Sequence, residues 1–136
     1  MNEPSPRRRR FAAAIFYVLL PLWTWKLLDP FPLPVELEEW FYGWKIIKVV
    51  LAKLLHVTMY AALTYLAGHL LPLRRPVFTF ALSLLMLHGV VTEILQTFVP
   101  NRSGLATDVL IDWLGILIGM AIGRSQWRII WLKSER

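Results

Sequence analysis

The chain has 136 residues, 57% hydrophobic and 18% charged, with a net charge of +6 and no cysteine. That length allows one compact domain, and an ordinary soluble domain is about 25% charged. The absence of cysteine excludes a disulfide framework and a thiolate metal site. A basic balance in a soluble protein would suggest nucleic acid, but here Lys and Arg cluster at the ends of apolar blocks, so no nucleic-acid partner is expected.

Residues 1–10 form a basic tail with two prolines and the run Arg7–Arg10. The first apolar block, Phe11–Leu28, is followed by no small-x-small cleavage site, and Trp23, Trp25 and Lys26 crowd its distal end. It therefore reads as an uncleaved membrane span. Pro21 within it is tolerated in a membrane helix. The connector Asp29–Lys45 starts with Pro30, Pro32 and Pro34, turns acidic at Glu36, Glu38 and Glu39, and ends with Trp40, Phe41, Tyr42 and Trp44. That composition predicts a segment lying at the headgroup level in the first outer loop. A second block covers Ile46–Leu71, a turn holds Arg74 and Arg75, and a third block covers Val77–Phe98. The polar loop Asn101–Thr107 leads to a fourth block, about Leu105–Gly123, and residues 124–136 form a basic, Trp-bearing interfacial tail. Each block approaches the roughly 20 residues that cross the hydrocarbon. The fold class is all-α, a polytopic membrane protein whose four-transmembrane-helix bundle occupies residues 11–123.

Ten Lys and Arg flank the N-terminal, 72–76 and C-terminal sides of these spans, against four (Lys26, Lys45, Lys48 and Arg102) on the opposite side. The positive-inside rule places both termini in the cytoplasm.

Ionisable groups inside a bilayer cost several kcal/mol, so those within the spans are the candidate site. Span two carries Lys53, His56 and Tyr60 at helical steps of three and four, and Thr64 continues the face. Span three carries Glu93 and Gln96, with Gly89 one turn before. Span four carries Asp108 and Asp112. At about 1.5 Å per residue, Lys53, Glu93 and Asp112 lie roughly 8–10 Å below the outer boundary. Charges from three helices at one depth can satisfy one another, which predicts a polar cluster open to the outer leaflet, with Arg102 in the loop above it. Locking of the bundle by the same ion pairs is the competing structural reading. Gly115, Gly119 and Gly123, spaced by four, predict close helix packing. His69 and His88 fall off the polar stripes and read as structural, His88 by hydrogen bonding within the bundle. Most of the Trp residues lie near span ends and read as interfacial anchors.

The constellation Lys53-x-x-His56-x-x-x-Tyr60, Glu93-x-x-Gln96-x-x-x-Pro100-x-Arg102 and Asp108-x-x-x-Asp112-x-x-Gly115-x-x-x-Gly119 resembles the VanZ-like family. The resemblance covers a core of residues 53–119. Two positions depart from the family pattern: Ala52 stands where the family usually has Asp, and Asp112 where it usually has Asn. The resemblance implies a multi-pass protein of the bacterial cytoplasmic (inner) membrane, linked in places to glycopeptide or lipopeptide tolerance, and supplies no reaction.

The expected function is binding of an envelope polar ligand, namely a lipid headgroup, a lipid-linked glycan or a peptide antibiotic, in support of envelope stress or antibiotic tolerance. Lys53, His56, Tyr60, Glu93, Gln96, Arg102, Asp108 and Asp112 would form the pocket. The alternatives are an intramembrane enzyme using Glu93 and His56 as acid and base, and a proton-coupled carrier, which four spans provide only as a homodimer. A nucleophile motif and a phosphate loop are both absent, which weakens the enzyme reading. One histidine beside three carboxylates is an ordinary ligand set, so no metal or other cofactor is expected. Membrane lipids are the remaining expected partner.

Overall fold

The computed structural model describes residues 6–30, 44–70, 75–100 and 104–133. Four helices account for nearly all of them: α1 (Pro6–Leu28), α2 (Lys45–Leu70), α3 (Arg75–Gln96) and α4 (Ala106–Lys133). Each contains a stretch long and apolar enough to cross a membrane: Arg10–Leu28, Ile46–His69, Phe78–Gln96 and Ala106–Gly123. These follow the four apolar blocks within a few residues. The protein is a multi-pass membrane protein.

Two helices extend beyond the apolar blocks. α1 starts at Pro6, five residues ahead of Phe11, because proline suits a first helical position and the arginines that follow are good helix formers. α4 continues ten residues past Gly123 to Lys133, since Arg124–Lys133 contains neither Gly nor Pro to stop it. The expected tails at both ends are therefore partly helical. The expected headgroup-level segment and Arg102 lie outside the described residues.

Burial runs opposite to that of a soluble protein. Leu54, Phe80, Leu87, Leu110 and Leu117 face outward, whereas Thr64, Thr92, Glu93, Gln96 and Asp112 are buried. In a bilayer the outward apolar faces meet lipid tails, so polar groups gather inside and satisfy one another. An apolar core of Trp23, Leu27, Tyr60, Leu63, Leu85 and Ile116 fills the space beside them.

The chain runs up and down, so α1 and α3 point one way and α2 and α4 the other. Thr24 and Leu27 of α1 meet His88 and Gln96 of α3 in matching order. Lys53 and His56 of α2 meet Asp108 and Asp112 of α4 in the same way. The α2–α4 pair is the most extensive in the bundle. Glycines explain it: a Cβ on Gly115 would stand 2.6 Å from the Val57 carbonyl oxygen, and one on Gly119 would stand 2.5 Å from that of Ala61. Real Cβ atoms essentially never come that close, so at these positions only glycine lets the two backbones touch. Gly123, the third of the series, is buried too.

Candidate functional site

The polar side chains of α2, α3 and α4 meet in successive layers, one helical turn apart. In the outermost layer Lys53 Nζ donates to Asp108 Oδ1 at 2.6 Å. One turn inward His56 Nδ1 bonds Asp112 Oδ1 at 2.8 Å. Glu93 reaches this second layer from α3, and one ligating atom each from His56, Glu93 and Asp112 lie within 4.8 Å of one another. One turn further in, Tyr60 Oη bonds His88 Nδ1 at 2.9 Å, and His88 Nε2 bonds Thr24 Oγ1 at 2.8 Å.

Exposure falls along this column. The Lys53 side chain is 37% exposed, Asp108 19%, His56 12% and Asp112 0%. The mouth of the column therefore lies at the Lys53 end, beside the start of α4 and the end of α3.

Glu93 is held there by the local backbone. Its Oε2 accepts from the Leu105 N–H at 2.8 Å. The first N–H groups of a helix have no partner inside it, and their partial positive charge favours a carboxylate. Glu93 thus caps the entry to α4 from another helix. Gly104 makes this approach possible, because a Cβ there would run into the Glu93 carbonyl oxygen. Asp108 in the first turn of α4 gains from the same end charge. Gly89 clears space on α3: a Cβ there would press on Asp112 Oδ2 at 3.0 Å. Gln96 donates to the Leu27 carbonyl at 3.1 Å and ties the end of α1 to this region.

The proton positions in the deepest layer follow from one hydroxyl. Thr24 has a single O–H and gives it to the Leu20 carbonyl at 2.8 Å. It must then accept from His88 Nε2–H. In a neutral His88 imidazole the other nitrogen is an acceptor, so Tyr60 O–H donates to Nδ1.

The second layer is less complete. Glu93 Oε1 and Asp112 Oδ2 are buried with no hydrogen-bond partner among the described residues. Such oxygens need a proton, a donor or a cation from elsewhere.

Seven of the eight residues read from the sequence as a pocket are described, and all lie in or beside this column; Arg102 is the eighth. Their pairing differs in one respect from the expectation of a single depth. Lys53 sits one turn further out than Glu93 and pairs with Asp108, because α2 and α4 are offset by about a turn. Three participants were not read as part of the site. His88 does hydrogen-bond within the bundle, as expected, but it does so with the pocket residue Tyr60. Thr24 completes that chain. Trp23, read as an interfacial anchor, is instead buried with its ring 5.2 Å from that of His56 in an edge-on arrangement. Trp25 and Trp44, by contrast, are exposed as anchors would be. The spacing Thr24, then His88 and Thr92 on one face of α3, was the available signal for the deeper layer.

A four-span bundle with a layered, partly unsatisfied polar column is the class that fold and site define. The model of the VanZ/LLP1 family matches residues 3–130, and the chain belongs to that family. The match extends well beyond the core of residues 53–119 that carries the motif residues. No curated protein and no solved structure matches the chain.

Proposed function

We propose that this VanZ-family protein binds the polar head of an amphiphilic envelope ligand, such as a lipid headgroup, a lipid-linked glycan or a lipopeptide, and so contributes to envelope stress or antibiotic tolerance. The carrying observation is the pair of buried carboxylate oxygens without partners, Glu93 Oε1 and Asp112 Oδ2. They lie one turn inside the Lys53–Asp108 layer of a column whose exposure rises toward Lys53. Acceptors in that layer call for hydroxyl or amine donors, and Lys53 at the mouth, with Arg102 in the adjoining loop, suits phosphate or carboxylate. The apolar outer faces of the helices keep the ligand's hydrocarbon part in the bilayer.

The excess of Lys and Arg on the terminal side supports a mouth that faces outward, with both termini cytoplasmic; the inner membrane is the location that the family resemblance implies. Cysteines introduced at Glu38 and Ser103 should react with an impermeant thiol reagent in intact spheroplasts, whereas those at Ser5 and Ser134 should not. The reverse pattern overturns the orientation.

The functional test is a deletion strain challenged with envelope-active antibiotics and complemented with wild type or Glu93→Gln at matched membrane abundance. Wild type should restore tolerance and Glu93→Gln should not. Equal complementation by both removes the binding role.

A second reading has one specific observation behind it. The His56–Asp112 bond at 2.8 Å, with Glu93 beside it, is the base-and-orienter geometry of acid–base catalysis. Conversion of a lipid-linked substrate by purified protein, lost in His56→Gln, would move the assignment from binding to an intramembrane enzyme.

A further inference from the structure

His56, Glu93 and Asp112 come from three helices, yet each offers a ligating atom within 4.8 Å of the other two. Glu93 is 4% exposed and Asp112 0%. Each keeps one buried oxygen with no hydrogen-bond partner among the described residues. A carboxylate oxygen can only accept, and two carboxylates in one cluster within a membrane interior repel each other as well. Lys53 does not relieve them, because it is engaged by Asp108 one turn further out. With a neutral imidazole the two carboxylates leave a formal charge of two minus, which one divalent cation cancels. We propose that His56, Glu93 and Asp112 bind a single divalent transition-metal ion, Mn2+ or Zn2+, in the second layer of the polar column. This reverses the expectation drawn from the histidine count alone, which could not show carboxylates from two other helices, each with an oxygen unpartnered among the described residues and each offering a ligand atom within 4.8 Å of that histidine.

The donor set selects the ion. An imidazole with two carboxylates suits Zn2+ and Mn2+, and no thiolate is present to favour a softer metal. Ca2+ takes six or more oxygens, and Mg2+ prefers a near-ideal octahedron of oxygens. Metal–ligand bonds of about 2.0–2.2 Å place ligand atoms about 3.0–3.5 Å apart, so the triad closes slightly around the ion. Surroundings that orient the ligands are already in place. Leu105 N–H holds Glu93 Oε2 at 2.8 Å, and the Trp23 ring stands edge-on to His56. Three protein ligands leave a coordination position open, which water or an oxygen of a bound headgroup can take. The ion takes the place of a hydroxyl or amine donor at these carboxylates and would itself meet an oxygen of the headgroup. It does not require the envelope ligand, and metal uptake is tested separately from complementation.

The intact protein, purified in detergent through a tag without histidines and stripped with EDTA, is dialysed against Mn2+ or Zn2+ and analysed for metal. The expected uptake is about one ion per chain, with a melting temperature that climbs with ion concentration. Glu93→Gln and Asp112→Asn should each lose most of that uptake, while His69→Gln, which removes a histidine outside the site, should keep it. Bound Mn2+ in the wild-type protein should also show magnetic coupling to an imidazole nitrogen, a readout that needs no variant to fold. Folded wild type that takes up neither ion overturns the proposal. So does bound Mn2+ without nitrogen coupling, or a folded Glu93→Gln/Asp112→Asn double variant that binds as wild type does.

Discussion

The two ends of the α2–α4 contact hold the same helices together by opposite means. Toward Gly119 the backbones touch, and what lies between them is the Ala61 carbonyl and the neutral hydroxyl-bearing side chain of Thr64. Toward Lys53 the contact consists of charged and ionisable side chains, Lys53 to Asp108 and His56 to Asp112. Each region leaves something unsatisfied, but of different weight. Thr64 Oγ1 is one neutral oxygen without a partner, whereas the other end holds two unpartnered carboxylate oxygens. An unmet hydroxyl costs little beside an unmet charge. The glycine contacts need no charge to bring the backbones together, which is why the charged end is the region proposed above as the binding site.

Substitution at the glycine end should have the largest effect on stability. Gly119→Leu must displace the backbone of α2, and overpacking of this kind should cost about 3 kcal/mol or more. Membrane abundance and detergent unfolding would both fall. A variant that accumulates normally would show that the close approach is dispensable.

Removing one member of the buried pair comes next. Asp112→Ala leaves His56 without its partner and should cost about 3 kcal/mol. In a double-mutant cycle with His56→Ala, part of that loss should be recovered, with a coupling of about 1–3 kcal/mol. Additive losses would mean that the two side chains are neighbours without being partners.

Glu93→Gln sharpens the contrast, because it should separate function from folding. The amide oxygen still accepts from Leu105 N–H, so unfolding should shift by only about 1 kcal/mol, the difference between a charged and a neutral acceptor. Ligand-dependent tolerance should nevertheless be lost. The smallest effect belongs to Lys53→Ala. Its side chain is 37% exposed, and a partly solvated pair contributes only about 0.5–1 kcal/mol. A larger loss would show the mouth of the column to be structural.

Much of this contrast was legible in the sequence, for definite reasons. Bilayer thickness sets span length, so four apolar blocks gave four helices. Glycines at intervals of four fall on one helix face, and the cost of intramembrane charge singled out the residues of the polar column. Which residue meets which was not legible. Counting residues from a span end locates a side chain only to about a turn, and a one-turn offset decides whether Lys53 meets Glu93 or Asp108. Side-chain type was equally silent for Trp23, because an indole near a span end can face headgroups or turn inward against a histidine. His88 was recognisable as a hydrogen-bonding residue, but its partners on α1 and α2 depend on how all three helices are rotated.

Glu93 faces two ways. One oxygen holds the first turn of α4 through Leu105 N–H, and the other looks into the pocket without a partner. Whatever binds the second oxygen also fixes the carboxylate to which the first belongs, so a filled site holds Glu93 where it caps the entry to α4. Occupancy is thereby written into that entry, and backbone amide exchange at Leu105 should slow when the site is filled.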